Sequence, residues 1–302
     1  MYDIIVVGGG PAGLTAALYG LRNGKKVIVL EKSVFGGQIT NSPKVENIPG
    51  FASISGDEFA DKYLDQVMDQ GAEVRLCKVT KVETDGKKVT AFTEEGDTVE
   101  GLTAILATGT KHRLLGLPGE EDLIGNGISF CAVCDGDFYR ERTVCMIGGG
   151  NSAFVEANLL VDIVDKLVML QDLDHFTADK KLMDSLFTHD NVETYTGTKV
   201  TGYVAEDGEI KGVTYTENGE EKQVECDGVF LAVGLVPDNS AFTELADCDR
   251  AGYFVSDESC RTKRGNIFVA GDCRTKTLRQ VTTACGDGAV AAIAACDYIR
   301  GL

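Results

Sequence analysis

The 302-residue chain has no tryptophan, three histidines and five prolines, and it is short of positive charge, with 29 Lys and Arg against 47 Asp and Glu for a formal charge of −18. That charge repels phosphate backbones and anionic lipid, so no nucleic acid and no membrane surface is expected as a partner. Only one close cysteine pair is present and histidine is scarce, so no metal site is expected. Long apolar spans are missing as well. The uncharged stretch Ile4 to Leu21 is broken by Gly8-Gly9-Gly10-Pro11 and turns helical in period only after it. Met1-Tyr2-Asp3 offers no basic segment ahead of an apolar one, which gives no expectation of a secretory signal. Ten cysteines at scattered spacings read as thiols of a reducing compartment plus one redox pair, hence a cytoplasmic location. With 43% apolar residues the chain can bury about three quarters of its unfolded surface, in two domains.

Glycine, by contrast, is abundant and ordered. The apolar run Asp3 to Val7 leads into Gly8-Gly9-Gly10-Pro11-Ala12-Gly13, then Leu14, Ala17, Leu18 and Leu21 at helical spacing, then a second apolar run ending in Glu31. This predicts a βαβ unit in which Gly8, Gly10 and Gly13 allow a tight turn and close backbone approach. The helix start faces a pyrophosphate, and Glu31 accepts from a ribose hydroxyl. The same pattern returns at an offset of 140: Gly8 falls on Gly148, Gly10 on Gly150, Gly13 on Ala153 and Glu31 on Gln171. The strand-to-glycine endings at 103–109 and 227–234 repeat too. An internal repeat of this kind predicts an α/β protein of two Rossmann-like, three-layer nucleotide-binding domains, one inserted in the other and joined by a two-segment linker. Turn residues and charge place the linkers near Lys111 to Pro118 and Val236 to Asn239.

Between the two glycine turns lies Cys131-Ala132-Val133-Cys134-Asp135. Two thiols at this spacing close a small disulfide ring, and a helix start favours a thiolate, so the pair suits two-electron exchange. The charge is uneven. Residues 113–240 hold 9 Lys and Arg against 24 Asp and Glu, and the second unit's strand ends in Gln171-Asp172-Leu173-Asp174. A 2′-phosphate needs a cationic grip there, so NADPH is expected to bind poorly.

The order of nucleotide unit, CxxCD, second nucleotide unit and GDC…RQVTTACGDGAVAA resembles the low molecular weight thioredoxin reductases over essentially the whole chain. The resemblance implies a discontinuous FAD-binding domain, 1–112 with 241–302, and an inserted domain, 113–240, that carries the disulfide. It implies FAD held by Gly8, Gly10, Gly13 and Glu31 on the ADP half, by Gln38 and Asn47 on the flavin side, and by Asp272, Arg279, Gln280 and Val281 along the ribityl and ring. Cys134 would meet the flavin, Cys131 would exchange with thioredoxin and Asp135 would donate the proton. A homodimer is also implied. A kept CxxC with a lost phosphate clamp looks most like the ferredoxin-dependent flavin thioredoxin reductases, so reduced ferredoxin is the expected donor, docking on a patch drawn from Lys111, Arg113, Lys263, Arg264, Arg274, Lys276 and Arg279. The alternatives are an NAD(P)H-dependent enzyme, with NADH held through Asp172, a flavin disulfide oxidase or a redox sensor.

Overall fold

The computed structural model describes residues 1–42 and 45–302 and divides into two compact units. The first comprises Met1–Thr40, Ile48–Lys111 and Val236–Leu302; the second comprises Asn41–Asn47 and His112–Leu235. The crossings at 111/112 and 235/236 lie within short strands that pair, β7 and β16 below. The sequence reading set the crossings at 112/113 and 240/241. Asn239 moves the second of them: it is buried, donates from Nδ2 to the Gly252 and Cys273 carbonyls, and accepts from the Thr108 hydroxyl, which ties its segment to the first unit.

In the first unit β1 (Tyr2–Val7), α1 (Pro11–Arg22) and β2 (Val27–Glu31) form the expected βαβ, followed by α2 (Gly56–Asp69) and β3 (Glu73–Leu76). An antiparallel group, β4 (Val79–Thr84), β5 (Val89–Thr93) and β6 (Thr98–Leu106), completes a sheet of order β3-β2-β1-β6-β5-β4. Strand β6 has three partners, β1 along one edge and two others along the opposite edge. Its first half pairs antiparallel with β5, and Ala104 to Leu106 pair parallel with Ile267–Val269 from the far end of the chain. β1 reads as a continuous apolar run because both its faces are covered. Ile4 and Val6 pack with Leu14, Ala16 and Ala17 of α1, whereas Ile5 and Val7 pack with Val82, Val89 and Ala91 on the other side.

β7 (Thr110–His112) leads into the second unit, which opens with β8 (Ile128–Ser129) and the one-turn α3 (Ala132–Asp135). β9 (Thr143–Ile147), α4 (Asn151–Leu160), β10 (Lys166–Leu170), α5 (Lys180–Leu186) and β11 (Val192–Tyr195) repeat the βαβ plan. A three-stranded antiparallel layer follows, β12 (Thr198–Glu206), β13 (Glu209–Glu217) and β14 (Glu220–Glu225), before β15 (Gly228–Leu231) returns to give the order β11-β10-β9-β15-β8, and β16 (Leu235–Pro237) leads out. Val144 and Met146 face α4, and Cys145 and Ile147 face the antiparallel layer. The chain ends with β17 (Ile267–Val269) and the long α6 (Val281–Arg300). Among the described residues no helix is long and apolar enough to cross a membrane.

Candidate functional site: two glycine turns and a disulfide

At the first turn Gly8 has φ +107°, and a Cβ there would lie 2.2 Å from the Ala107 carbonyl oxygen. A Cβ on Gly13 would lie 1.9 Å from the Gly8 carbonyl oxygen, so α1 meets the turn in direct backbone contact. Gly10 caps α1 and Pro11 opens it, which leaves the first N–H groups of a twelve-residue helix for an anion. Glu31 is buried at the end of β2; its carboxylate accepts from Gly9 N at 2.6 Å and Ser33 N at 2.9 Å. Gly37 would touch Gly10 if it carried a Cβ, which sets Gln38 next to the turn, exposed. Gly271 packs on Ala12 in the same way and brings Asp272 against the start of α1.

Asp272 Oδ1 is shut off from solvent and has no hydrogen-bond partner. Burial pushes the carboxyl up to about 6 against the pull of Lys276 and Arg279. Arg279 donates to the carbonyls of Asp272 and Arg274 at 3.3 and 3.4 Å and lies 4.2 Å over the Tyr253 ring. Gln280 caps α6 through a reciprocal box with Thr283, and Val281 begins the helix. Of the expected flavin residues only Asn47 falls outside this group: it is exposed and belongs to the second unit's segment Asn41–Asn47. The donor set suits a dinucleotide with a sugar-alcohol arm: helix-start N–H groups for the pyrophosphate, Glu31 for a ribose, and an orphaned carboxylate oxygen on Asp272 for a further hydroxyl.

The second turn copies the backbone of the first and changes its chemistry. Gly148 has φ +130° and would strike the Ala232 carbonyl, and Thr177 N donates to Gly149 O at 2.8 Å as Gly36 N does to Gly9 O. Where Glu31 presents a carboxylate, Gln171 is buried and its amide donates to the His175 carbonyl at 3.3 Å. From Gln171 to Asp179 there is no Lys or Arg. Phe154 packs edge-on against Phe176 and Phe187, which meet each other at a tilt, beside this loop.

Cys131 and Cys134 form a disulfide with Cα atoms 5.3 Å apart, Cys131 capping α3. Cys131 Sγ accepts from Cys134 N at 3.2 Å. Ser129 Oγ accepts from Cys131 N at 3.1 Å and donates to Asp135 Oδ2 at 2.6 Å. The other Asp135 oxygen is buried without a partner; burial raises this carboxyl, and the Ser129 hydrogen bond opposes the rise. Glu156, on α4, accepts the Ala132 N–H. A cleft of about 630 Å³ opens beside this group, lined by Ser129, Asp135, Tyr139, Arg142, Lys211 and Asp227 among others.

His112 stacks on Phe130, directly before the disulfide, with ring centroids 4.1 Å apart. Burial lowers its imidazole to about 4 from the ordinary 6.5. The unfolded chain therefore takes up this proton first as pH falls. His112 favours the fold fully above pH 6.5, by at most about 3 kcal/mol, and that contribution fades between pH 6.5 and 4. Between pH 7 and 4.5 the parent's melting temperature is expected to fall by several degrees more than that of His112→Phe, which keeps the stacked ring and loses the titration. Parallel melting curves across that range check this.

Sequence reasoning did not single out Ser129, His112 or Glu156, because a polar residue aimed at a local N–H or ring leaves no periodic trace. It also misplaced the cationic patch. Arg274 is 2% exposed and Lys276 8% at the side chain, and both are held by Asp287, an anion on α6. Lys263 pairs with Asp247, and Lys111 lies 4.0 Å from Asp238.

The model of the pyridine nucleotide-disulphide oxidoreductase family matches residues 2–288. The chain is similar to a thioredoxin reductase of Listeria monocytogenes, 41% identical over 304 residues that cover 100% of this chain and 95% of the relative. It is 35% identical to one of Bacillus subtilis, covering 100% and 96%. The crystal structure of thioredoxin reductase from Streptococcus pyogenes superposes with a TM-score of 0.91 at 37% identity, covering 100% of this chain and 99% of that one. With the paired Rossmann-like sheets and the disulfide, these matches place the chain in the pyridine nucleotide-disulphide oxidoreductase family, in its thioredoxin-reductase group of FAD-binding flavoprotein disulfide oxidoreductases.

Proposed function

We propose that the chain is a thioredoxin-disulfide reductase in which Cys131 and Cys134 are the couple that reduces the partner's disulfide. The observation that carries this reading is the closed Cys131–Cys134 disulfide, held by Ser129 beside the carboxyl of Asp135 and falling, in sequence, between two glycine turns of one plan. In this reading the first unit holds FAD through Gly8, Gly10, Gly13, Glu31, Gln38, Asp272, Arg279, Gln280 and Val281. The second unit carries the couple, and Asn47 is assigned to the flavin side by the resemblance alone. Bound FAD supplies a carrier that takes electrons singly or in pairs. Cys134 takes the electrons, Cys131 exchanges with thioredoxin, and Asp135 keeps a proton next to the sulfurs as they separate. Eight further cysteines are free, six of them buried, in keeping with a reducing cytoplasm. The homodimer follows from the resemblance alone.

For the donor, the family match and the retained second turn favour a pyridine nucleotide over the ferredoxin that the sequence reading preferred. The cation-free loop from Gln171 to Asp179 favours NADH over NADPH, because a 2′-phosphate finds no guanidinium or ammonium there. Ferredoxin remains the second reading on that same loop, although two cations of its supposed docking patch are buried on Asp287. The donors separate by anaerobic bleaching of the flavin with NADH, NADPH and reduced ferredoxin in parallel, followed by counting of thioredoxin thiols. NADH is expected to bleach the flavin at least about tenfold faster than NADPH, the scale of one lost charged contact of 1.4 kcal/mol or more. Prompt bleaching by NADPH removes the phosphate argument. Bleaching by ferredoxin alone restores the second reading.

A further inference from the structure

Every helix start leaves N–H groups without partners inside the helix, and at a CxxC segment those groups ordinarily favour a thiolate. Three of them have partners here. Cys131 N goes to Ser129 Oγ, Cys134 N to Cys131 Sγ, and Ala132 N to the carboxylate of Glu156. Glu156 reaches α3 from α4, eight residues beyond Gly148, and among the described residues no Lys or Arg pairs with it. Burial and the nearby Asp135 both act against its charge. A carboxylate thus stands where the backbone would otherwise draw negative charge, one residue along from Cys131.

We infer that Glu156 is a positioning residue that keeps the Cys131–Cys134 couple strongly reducing, by anchoring the start of the CxxC helix with a negative charge in place of a free N–H. In the half-reaction the S–S bond breaks as two electrons and two protons are taken up, giving two thiols. The same two electrons later pass to the partner's disulfide, which becomes a dithiol as the S–S bond reforms. Wherever a sulfur ionises, Glu156 disfavours that charge, so the reduced form gains less stabilisation and gives up its electrons more readily. The inference rests on the reading of this couple as the one that serves thioredoxin, and its test measures the couple without turnover, so the two fail separately.

Glu156→Gln keeps a carbonyl to accept the Ala132 N–H and removes the charge. Holoenzyme is equilibrated anaerobically at pH 8.5, where thiolates are populated, in mixtures of reduced and oxidised dithiothreitol. The reduced fraction of the 131–134 peptide is then read by alkylation and mass. The midpoint is expected to move about tenfold toward the reduced enzyme, about 30 mV for a two-electron couple. Glu156→Met also frees the N–H and is expected to move the midpoint at least as far in the same direction, so a Gln variant that fails to fold does not end the test. A purely structural role would lower the melting temperature and leave the midpoint alone. A midpoint within twofold of the parent in whichever variant folds, or a move toward the oxidised form, overturns the inference.

Discussion

Cys134→Ser is expected to fold and to retain FAD, while delivery of thiols to thioredoxin falls by about 10³-fold or more, the scale on which removal of a covalent participant acts. A serine oxygen cannot close the ring with Cys131 Sγ, so electrons reaching this segment have no disulfide to open. Cys131 remains. It sits at the cap of α3 with its sulfur receiving the Cys134 N–H, an interaction that any residue except proline at position 134 preserves. Mixed with oxidised thioredoxin, the variant is expected to accumulate a covalent adduct through Cys131, because the neighbouring thiol that would release it is missing. Cys131→Ser should form no such adduct. Mass spectrometry of the mixtures, run beside the turnover assay, checks both points, and a Cys134→Ser enzyme that still delivers thiols would remove the mechanism.

The second large effect belongs to Gly13. A Cβ at this position would lie 1.9 Å from the Gly8 carbonyl oxygen and 3.1 Å from Val6 Cγ1, with backbone and the sheet behind it, so α1 must back away. Forced overpacking of this kind costs about 1–3 kcal/mol. The strain falls hardest on the FAD-bound state, which needs the close approach of turn to pyrophosphate. Gly13→Ala is therefore expected to weaken FAD retention by about 5- to 150-fold, read as the flavin-to-protein absorbance ratio after dilution and gel filtration. The molecule carries its own control. The matching position in the second unit is already alanine, Ala153, fully buried in that unit's core. Ala153→Gly should leave flavin content unchanged.

The sequence spoke clearly wherever backbone geometry permits one residue type. Gly8 and Gly148 are legible because each sits at positive φ against a carbonyl, and the 140-residue offset follows from two copies of one turn. β1 and β9 are legible as unbroken apolar runs because helices cover one face and antiparallel strands the other. The layer β12 to β14 was not read. β14 is mostly exposed and β12 mostly exposed or half-buried, the three strands together are rich in Glu, Lys and Thr, and few apolar residues, among them Ile210, Val213 and Tyr215 of β13, mark the buried side. Arg274 and Lys276 were misread as surface charge because their shared anion, Asp287, lies on a different element and becomes their neighbour only once α6 has docked. Asn239 belongs to the first unit through hydrogen bonds to residues more than ten positions away, which no local pattern announces.

The nesting of one unit inside the other orders events on the ribosome. When residue 235 emerges, the inserted unit has its five-stranded sheet complete. The first unit does not: β6 still waits for β17, and α1 waits for α6, whose Gly288 will approach the Ala12 carbonyl so closely that a Cβ there would sit 2.2 Å away. Until residues 236–302 are made, the earlier segments of the first unit thus present a half-covered hydrophobic face, which makes the nascent chain, more than the finished enzyme, the form most in need of a holdase.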